Sequence, residues 1–159
     1  MAREIINSPL RAKERKLAEL HEVVTGPELP TDLESVRARA IVQTHEMLET
    51  ALEIPMAWKG MTFTVTMEKQ NLLTAQLALF TMKTQAGIPA TLEWNETGRR
   101  CVEWQFEDLF ALAMAMDTHV RPMVNLQRKV EEELVKAKTI KKVEVLLDEY
   151  RKELAQLAG

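Results

Sequence analysis

The feature that most constrains the fold of this chain is the helical periodicity of its last third. Apolar residues recur there at the spacing of one helix face, which buries them against other helices: Phe106, Leu109, Phe110, Ala113, Met116, Val120, Met123, Val130 and Leu134. After Lys138-Thr139 a second stripe begins at Val143. A continuous helix over 106–138 would span on the order of 50 Å, more than a domain of this size needs to cover its own core. The pattern predicts a long helix, then a shorter one, and an assembly or scaffolding role.

The composition sets limits on the class of protein. The 159 residues suffice for one domain, or one domain with an appendage. The formal net charge is −3 and both signs are interleaved without a basic patch, so we expect no nucleic-acid partner. No apolar run approaches the roughly 20 residues of a membrane span, and residues 1–7 lack the order of a signal peptide. We therefore expect no membrane partner and synthesis in a reducing cytoplasm.

The first 54 residues predict an N-terminal helical hairpin. Ser8 and Pro9 suit the N-cap and first helical position, and this helix would run over 9–24. Thr31 and Glu34 have the spacing of a capping box, which predicts a second helix to about Glu53.

The pattern changes at Pro55, where we place a domain boundary. Residues 1–54 form the helical hairpin in this interpretation, and residues 55–159 form an α+β domain with a C-terminal helical extension. A fragment that starts near Ile54 is then expected to fold by itself.

The middle of the chain predicts two short β segments around a helix. Met61, Phe63 and Val65 alternate with threonines after Gly60, as in a half-buried strand. Thr66 suits the N-cap of a helix over 67–86, which we expect to be central because of its broad apolar face: Leu72, Leu73, Ala75, Leu77, Leu79, Phe80 and Met82.

A second hairpin is predicted around the turn 95–98, with Trp94 before the turn and Trp104 after it. Pro122 lies inside the long helix and should kink or interrupt it near Thr118. The predicted fold class is α+β and mostly helical, with a small antiparallel β segment packed on helices.

The order of elements over about the last hundred residues resembles a domain of unknown function that is common in tailed bacteriophages, often in tail-fibre and tail-fibre-assembly proteins. The resemblance lies in Gly60, Phe63, Leu72, Ala75, Trp94, Asn95, Val102, Lys138-Thr139-Ile140 and Val143. The chain departs from the pattern at Thr66, where an acidic cap is common. The resemblance implies a phage origin and a tail context, and it carries over no catalytic residue.

The polar residues predict no catalytic, cofactor or metal site. The histidines are not spaced as metal ligands and are interpreted as solvated or capping groups: His21, His45 and His119. Cys101 is interpreted as a small buried hydrophobic residue. Glu107 and Asp108 could be paired acids, but favourable charge at a helix N-terminus explains them.

Ten residues are candidate interface side chains: Leu17, Leu20, Ile41, Leu48, Trp94, Arg99, Arg100, Leu147, Tyr150 and Leu154. Trp94 with Arg99 and Arg100 allows two interpretations, a binding surface or a small core with solvated arginines.

The predicted function is that of a non-enzymatic bacteriophage tail component that joins other tail proteins through helical interfaces. The alternative is a tail-fibre assembly chaperone that the virion does not retain, and a small hydrolase is a third possibility. We expect a dimer or trimer, because stripes of helix are readily buried against a symmetry mate. The protein would be made in the host bacterial cytoplasm and, if structural, carried in the virion tail.

Overall fold

A computed structural model describes residues 31–159, so the predicted helix over 9–24 and its candidate residues Leu17, Leu20 and His21 lie outside the described residues. The described chain forms these elements in order: α1 (Leu33–Leu52), β1 (Met56–Trp58), β2 (Met61–Phe63), α2 (Met67–Gln85), β3 (Leu92–Trp94), β4 (Val102–Trp104), α3 (Phe106–Lys136) and α4 (Ile140–Ala158). The α+β, mostly helical fold class is confirmed, as is the long helix followed by a shorter one.

A bundle of α1, α3 and α4 forms the main body of the described chain, because each of these helices packs on the other two. Their buried residues belong to one hydrophobic core that also includes the strand residues Phe63 and Leu92. Helix α1 contributes Ala40, Leu48 and Leu52 to it. The predicted boundary at Pro55 therefore falls inside a continuous core.

Three helix N-termini are closed by side chains that accept a backbone hydrogen bond. The cap of α1 is Asp32, whose carboxylate accepts from Ser35 N at 2.9 Å. The capping-box spacing with Glu34 predicts Thr31 at this position, and the structure has Asp32 instead. Aspartate is the better N-cap because its carboxylate also carries a negative charge at the positive end of the helix dipole. Hydrogen bonds from the backbone and the side chain of Ser35 lower the pKa of Asp32.

The cap of α2 matches the expectation from sequence, and α4 is capped in the same way. Thr66 accepts from Lys69 N at 3.3 Å, and Thr139 accepts from Lys142 N at 3.1 Å. The break between the two C-terminal helices thus lies where the Lys138-Thr139 motif predicted it.

Two antiparallel hairpins lie beside the helices. Strands β1 and β2 are joined by Lys59 and Gly60, which both have positive φ (50° and 77°), as the central residues of a type I′ turn do. Strand β3 pairs with β4 so that Trp94 lies opposite Val102. The backbone N–H of Thr97 donates to the carbonyl of Thr62 at 2.9 Å and so ties the two hairpins together.

Helix α3 runs through Pro122 as one continuous helix, so of the two predicted effects near Thr118 the interruption does not occur. Both residues are exposed to solvent. Water can therefore satisfy the Thr118 carbonyl that lacks its intrahelical donor, which reduces the cost of the proline.

Helix α2 is not central, contrary to the expectation from its broad apolar face. It packs on α3 and β3 through Leu73 and Leu77, which are buried. Its other apolar stripe faces away from the core, with 50% of Leu72, 48% of Leu79 and 58% of Met82 exposed. The sequence carries two apolar stripes on this helix, and the described chain buries only one of them.

Candidate functional site: an exposed apolar face on two helices

The most prominent surface feature of the described chain is the outer stripe of α2. Leu72, Ala75, Leu79 and Met82 follow one another at intervals of three, four and three residues, which places them on one face of the helix. All four are exposed. Large apolar side chains scattered singly on a surface need no explanation, but a contiguous row of them indicates an interaction site.

A second exposed apolar patch lies on the first half of α3. Phe110 is 46% exposed and Met114 is 53% exposed. The rings of Phe80, Phe106 and Phe110 are stacked in series, with centroid distances of 5.4 Å and 5.8 Å. A rigid aromatic row therefore holds Phe110 at the surface.

A groove of about 610 Å³ lies between the two helices, and its apolar lining includes Leu77, Ala78, Phe106, Phe110, Ala113 and Met114. On α2 the groove is lined by Thr74, Leu77, Ala78 and Thr81, so the outer stripe of this helix lies outside it. We use the term α2–α3 face for the exposed apolar residues of the two helices: Leu72, Ala75, Leu79, Met82, Phe110 and Met114.

Two opposite charges mark the ends of the stripe on α2. Glu68 lies in the first turn of the helix and Lys83 in the last, and helical geometry puts both beside the stripe. Each charge is favourable at its own end of the helix dipole. Neither forms an ion pair with another of the residues 31–159.

A partly buried polar cluster joins α1 and α3. Gln127 of α3 is only 3% exposed, and its amide nitrogen donates to Glu131 at 2.9 Å and to the hydroxyl of Thr44 at 3.2 Å. The same nitrogen lies 3.2 Å from Nε2 of His45, which is 3.3 Å from the Glu131 carboxylate. The cluster satisfies its buried members and fixes how α1 sits against α3, which is a structural role.

Burial raises the pKa of Tyr150 to about 12. The phenol is therefore neutral at ordinary pH and donates to the backbone carbonyl of Thr44 at 2.8 Å.

His45 is exposed and contacts the polar cluster from the solvent side, which fits the solvated interpretation of this residue. His119 is half-buried.

The hairpin residues favour the core interpretation over a binding surface. Trp94 is buried, whereas Arg99 and Arg100 are exposed. The cation beside the Trp94 ring is Lys69, whose Nζ lies 5.2 Å from the ring centroid. The cation–π contact of Trp94 thus comes from a lysine of α2.

Cys101 is exposed, so its interpretation as a buried hydrophobic residue is wrong. It lies at the end of the loop between β3 and β4, directly before β4, and is not among the paired residues of the two strands. The thiol Sγ approaches Oδ1 of Asn95 at 3.7 Å. Asn95 itself donates to the carbonyls of Glu96 and Arg99, both at 3.0 Å, and so closes the loop of the second hairpin.

The remaining candidate interface residues divide by burial. Three are fully buried in the core and are not accessible in the described chain: Leu48, Tyr150 and Leu154. Ile41 and Leu147 are half-buried and pack against the same core. The exposed residues of the α2–α3 face were not among the candidates. The signal that could have found them was the second apolar stripe of α2, since one helix on the surface of a small fold buries only one stripe.

Within residues 31–159, no group of three or more histidine, cysteine or acidic side chains could hold a metal ion. Glu107 and Asp108 are exposed in the first turn of α3, as expected for acids at a helix N-terminus. None of the helices described here has both the length and the apolar character to span a bilayer. The chain matches no family model, no curated protein and no solved structure.

Proposed function

We propose that this chain is a non-enzymatic assembly protein that works by protein–protein association through the α2–α3 face. The observation that carries the proposal is the exposure of Leu72, Leu79 and Met82 along one face of α2, together with that of Phe110 and Met114 on α3. Leaving these side chains in water costs free energy in proportion to their apolar area, which burial against a protein recovers. The rigid bundle under the face supports this role, because it presents the face without the cost of ordering a loop.

The setting we propose is a bacteriophage tail, in which the chain joins other tail proteins. Support for this setting comes from the resemblance of about the last hundred residues to a domain of phage tail-fibre and tail-assembly proteins.

The test is quantitative mass spectrometry of purified virions of the phage that encodes the chain. A structural component is expected in the particles at a fixed ratio to the major tail proteins. Absence from the particles, together with presence in the lysate bound to unassembled fibre protein, would replace this proposal with the chaperone alternative. If the chain is found neither in the particles nor bound to unassembled fibre protein, the tail setting is contradicted.

A further inference from the structure

We propose that the outer stripe of α2 is covered by a second copy of the same chain, in a two-fold dimer whose α2 helices pack antiparallel. This inference rests on the proposed function, since it names the partner at a surface that function uses. Two properties of α2 lead to a second copy rather than to an unrelated protein.

The first property is the spacing of the stripe. Intervals of three, four and three residues are those of the seam between two packed helices. About a two-fold axis near the middle of α2, Leu72 lies level with Met82 of the second copy, and Ala75 lies level with its Leu79. A large side chain then meets a small one at the centre, so the seam is complementary to itself.

The second property is the distribution of charge. In an antiparallel pair, Glu68 at the start of one stripe approaches Lys83 at the end of the other, and this contact occurs twice. A parallel pair would instead place Glu68 beside Glu68 and Lys83 beside Lys83. The charges therefore favour the antiparallel arrangement, in which the two helix dipoles also oppose each other.

The test is sedimentation equilibrium of the full chain and of matched variants. The wild type should sediment as twice 18.2 kDa. Leu79→Glu should weaken dimerisation by about 100-fold or more, because each dimer would bury two unpaired carboxylates. Val42→Glu is the control, since Val42 is exposed on α1 and away from the face. Circular dichroism should show both variants folded. A monomeric wild type, or a dimer that Leu79→Glu leaves intact, would overturn the proposal.

The orientation has its own test in a charge reversal. Glu68→Lys should weaken the dimer, and the double variant Glu68→Lys with Lys83→Glu should restore it. A parallel pair would not show this rescue. In a Cys101→Ser background, Leu72→Cys and Met82→Cys chains should form a disulfide with each other when mixed, faster than either forms one with itself. Faster pairing of like chains would overturn the antiparallel arrangement.

The outcomes also separate this inference from the proposed function. A monomeric chain that is nevertheless a fixed component of virions would refute the dimer and leave the assembly role standing. A dimer with the expected charge rescue, in a chain absent from all tail complexes, would support the dimer and refute the tail function. If a chain lacking residues 1–30 dimerises and the full chain does not, the face is covered within the chain and the proposal is wrong.

Discussion

The hydroxyl of Tyr150 donates a 2.8 Å hydrogen bond to the backbone carbonyl of Thr44, and both residues are buried. This bond joins the last helix of the chain to α1 across 106 positions of sequence. It shows why α1 cannot be treated as an appendage.

Tyr150→Phe removes this bond while keeping the ring. We expect the free energy of unfolding to fall by about 1 kcal/mol, the usual net contribution of a buried hydrogen bond. Urea denaturation followed by circular dichroism measures the change. The control is Tyr150→Ala, which should cost about 3–5 kcal/mol because it also leaves a cavity. An unchanged midpoint for Tyr150→Phe would show that the bond contributes nothing.

The raised pKa of Tyr150 predicts a loss of stability at high pH. Burial holds the folded-state pKa at about 12, above the unfolded value near 10. The contribution is complete below pH ~10, where the phenol is protonated in both states, and it declines between pH ~10 and 12, where only the unfolded state ionises. The wild type should lose on the order of 2 kcal/mol over this interval relative to Tyr150→Phe. Parallel stability curves for the two proteins would contradict the burial argument.

Arg37 of α1 closes the C-terminal end of α3, which no local pattern in the sequence indicates. Its Nη1 donates to the carbonyls of Val135 at 3.1 Å and Ala137 at 3.2 Å. A cation here is favourable because the last carbonyls of a helix lack intrahelical partners. Arg37→Met keeps most of the stem and should lower stability by about 1 kcal/mol. Arg39→Met, at an exposed position on the same helix, should change stability little.

Removal of residues 1–53 should abolish cooperative folding, although the composition change at Pro55 suggested a separable domain. The fragment 54–159 would lose Ala40, Leu48 and Leu52 from the core and would leave Gln127 without Thr44. Differential scanning calorimetry should show a sharp transition for the full chain and none for the fragment. A cooperative transition in the fragment would restore the domain boundary at Pro55.

A chelator should leave the melting temperature unchanged, because residues 31–159 bring together no set of metal ligands. Thermal unfolding with and without EDTA measures this directly. A shift of several degrees would reveal a metal site that neither the spacing of the histidines nor the packing indicates.

Local signals predicted much of this fold. Thr66 follows the rule for an N-cap, Gly60 follows the rule for a tight turn, and both mark real element ends. What sequence could not give was the partner of each apolar stripe. The stripe with Tyr150 and Leu154 looked available for an interface, yet α1 and α3 of the same chain cover it. Periodicity shows that a helix has an apolar stripe and does not show whether the same chain buries it.

The same reasoning explains why the candidate site was missed. The residues Leu72, Leu73, Leu77 and Leu79 are equally apolar, so composition cannot tell the inner stripe of α2 from the outer one. Only the tertiary contacts of Leu73 and Leu77 with the core make that distinction. The choice between Thr31 and Asp32 as the cap of α1 is a smaller example, since both residue types are good N-caps.

The most direct test of the account is incorporation of the chain into virions when the α2–α3 face is altered. Phage that carry the wild-type chain, Leu79→Glu or Val42→Glu should be purified and quantified by mass spectrometry against the major tail proteins. We expect wild type and Val42→Glu at the same fixed ratio and Leu79→Glu reduced at least about tenfold, since the charge prevents burial of the face. Normal incorporation of folded Leu79→Glu would contradict the claim that this face joins the protein to its assembly.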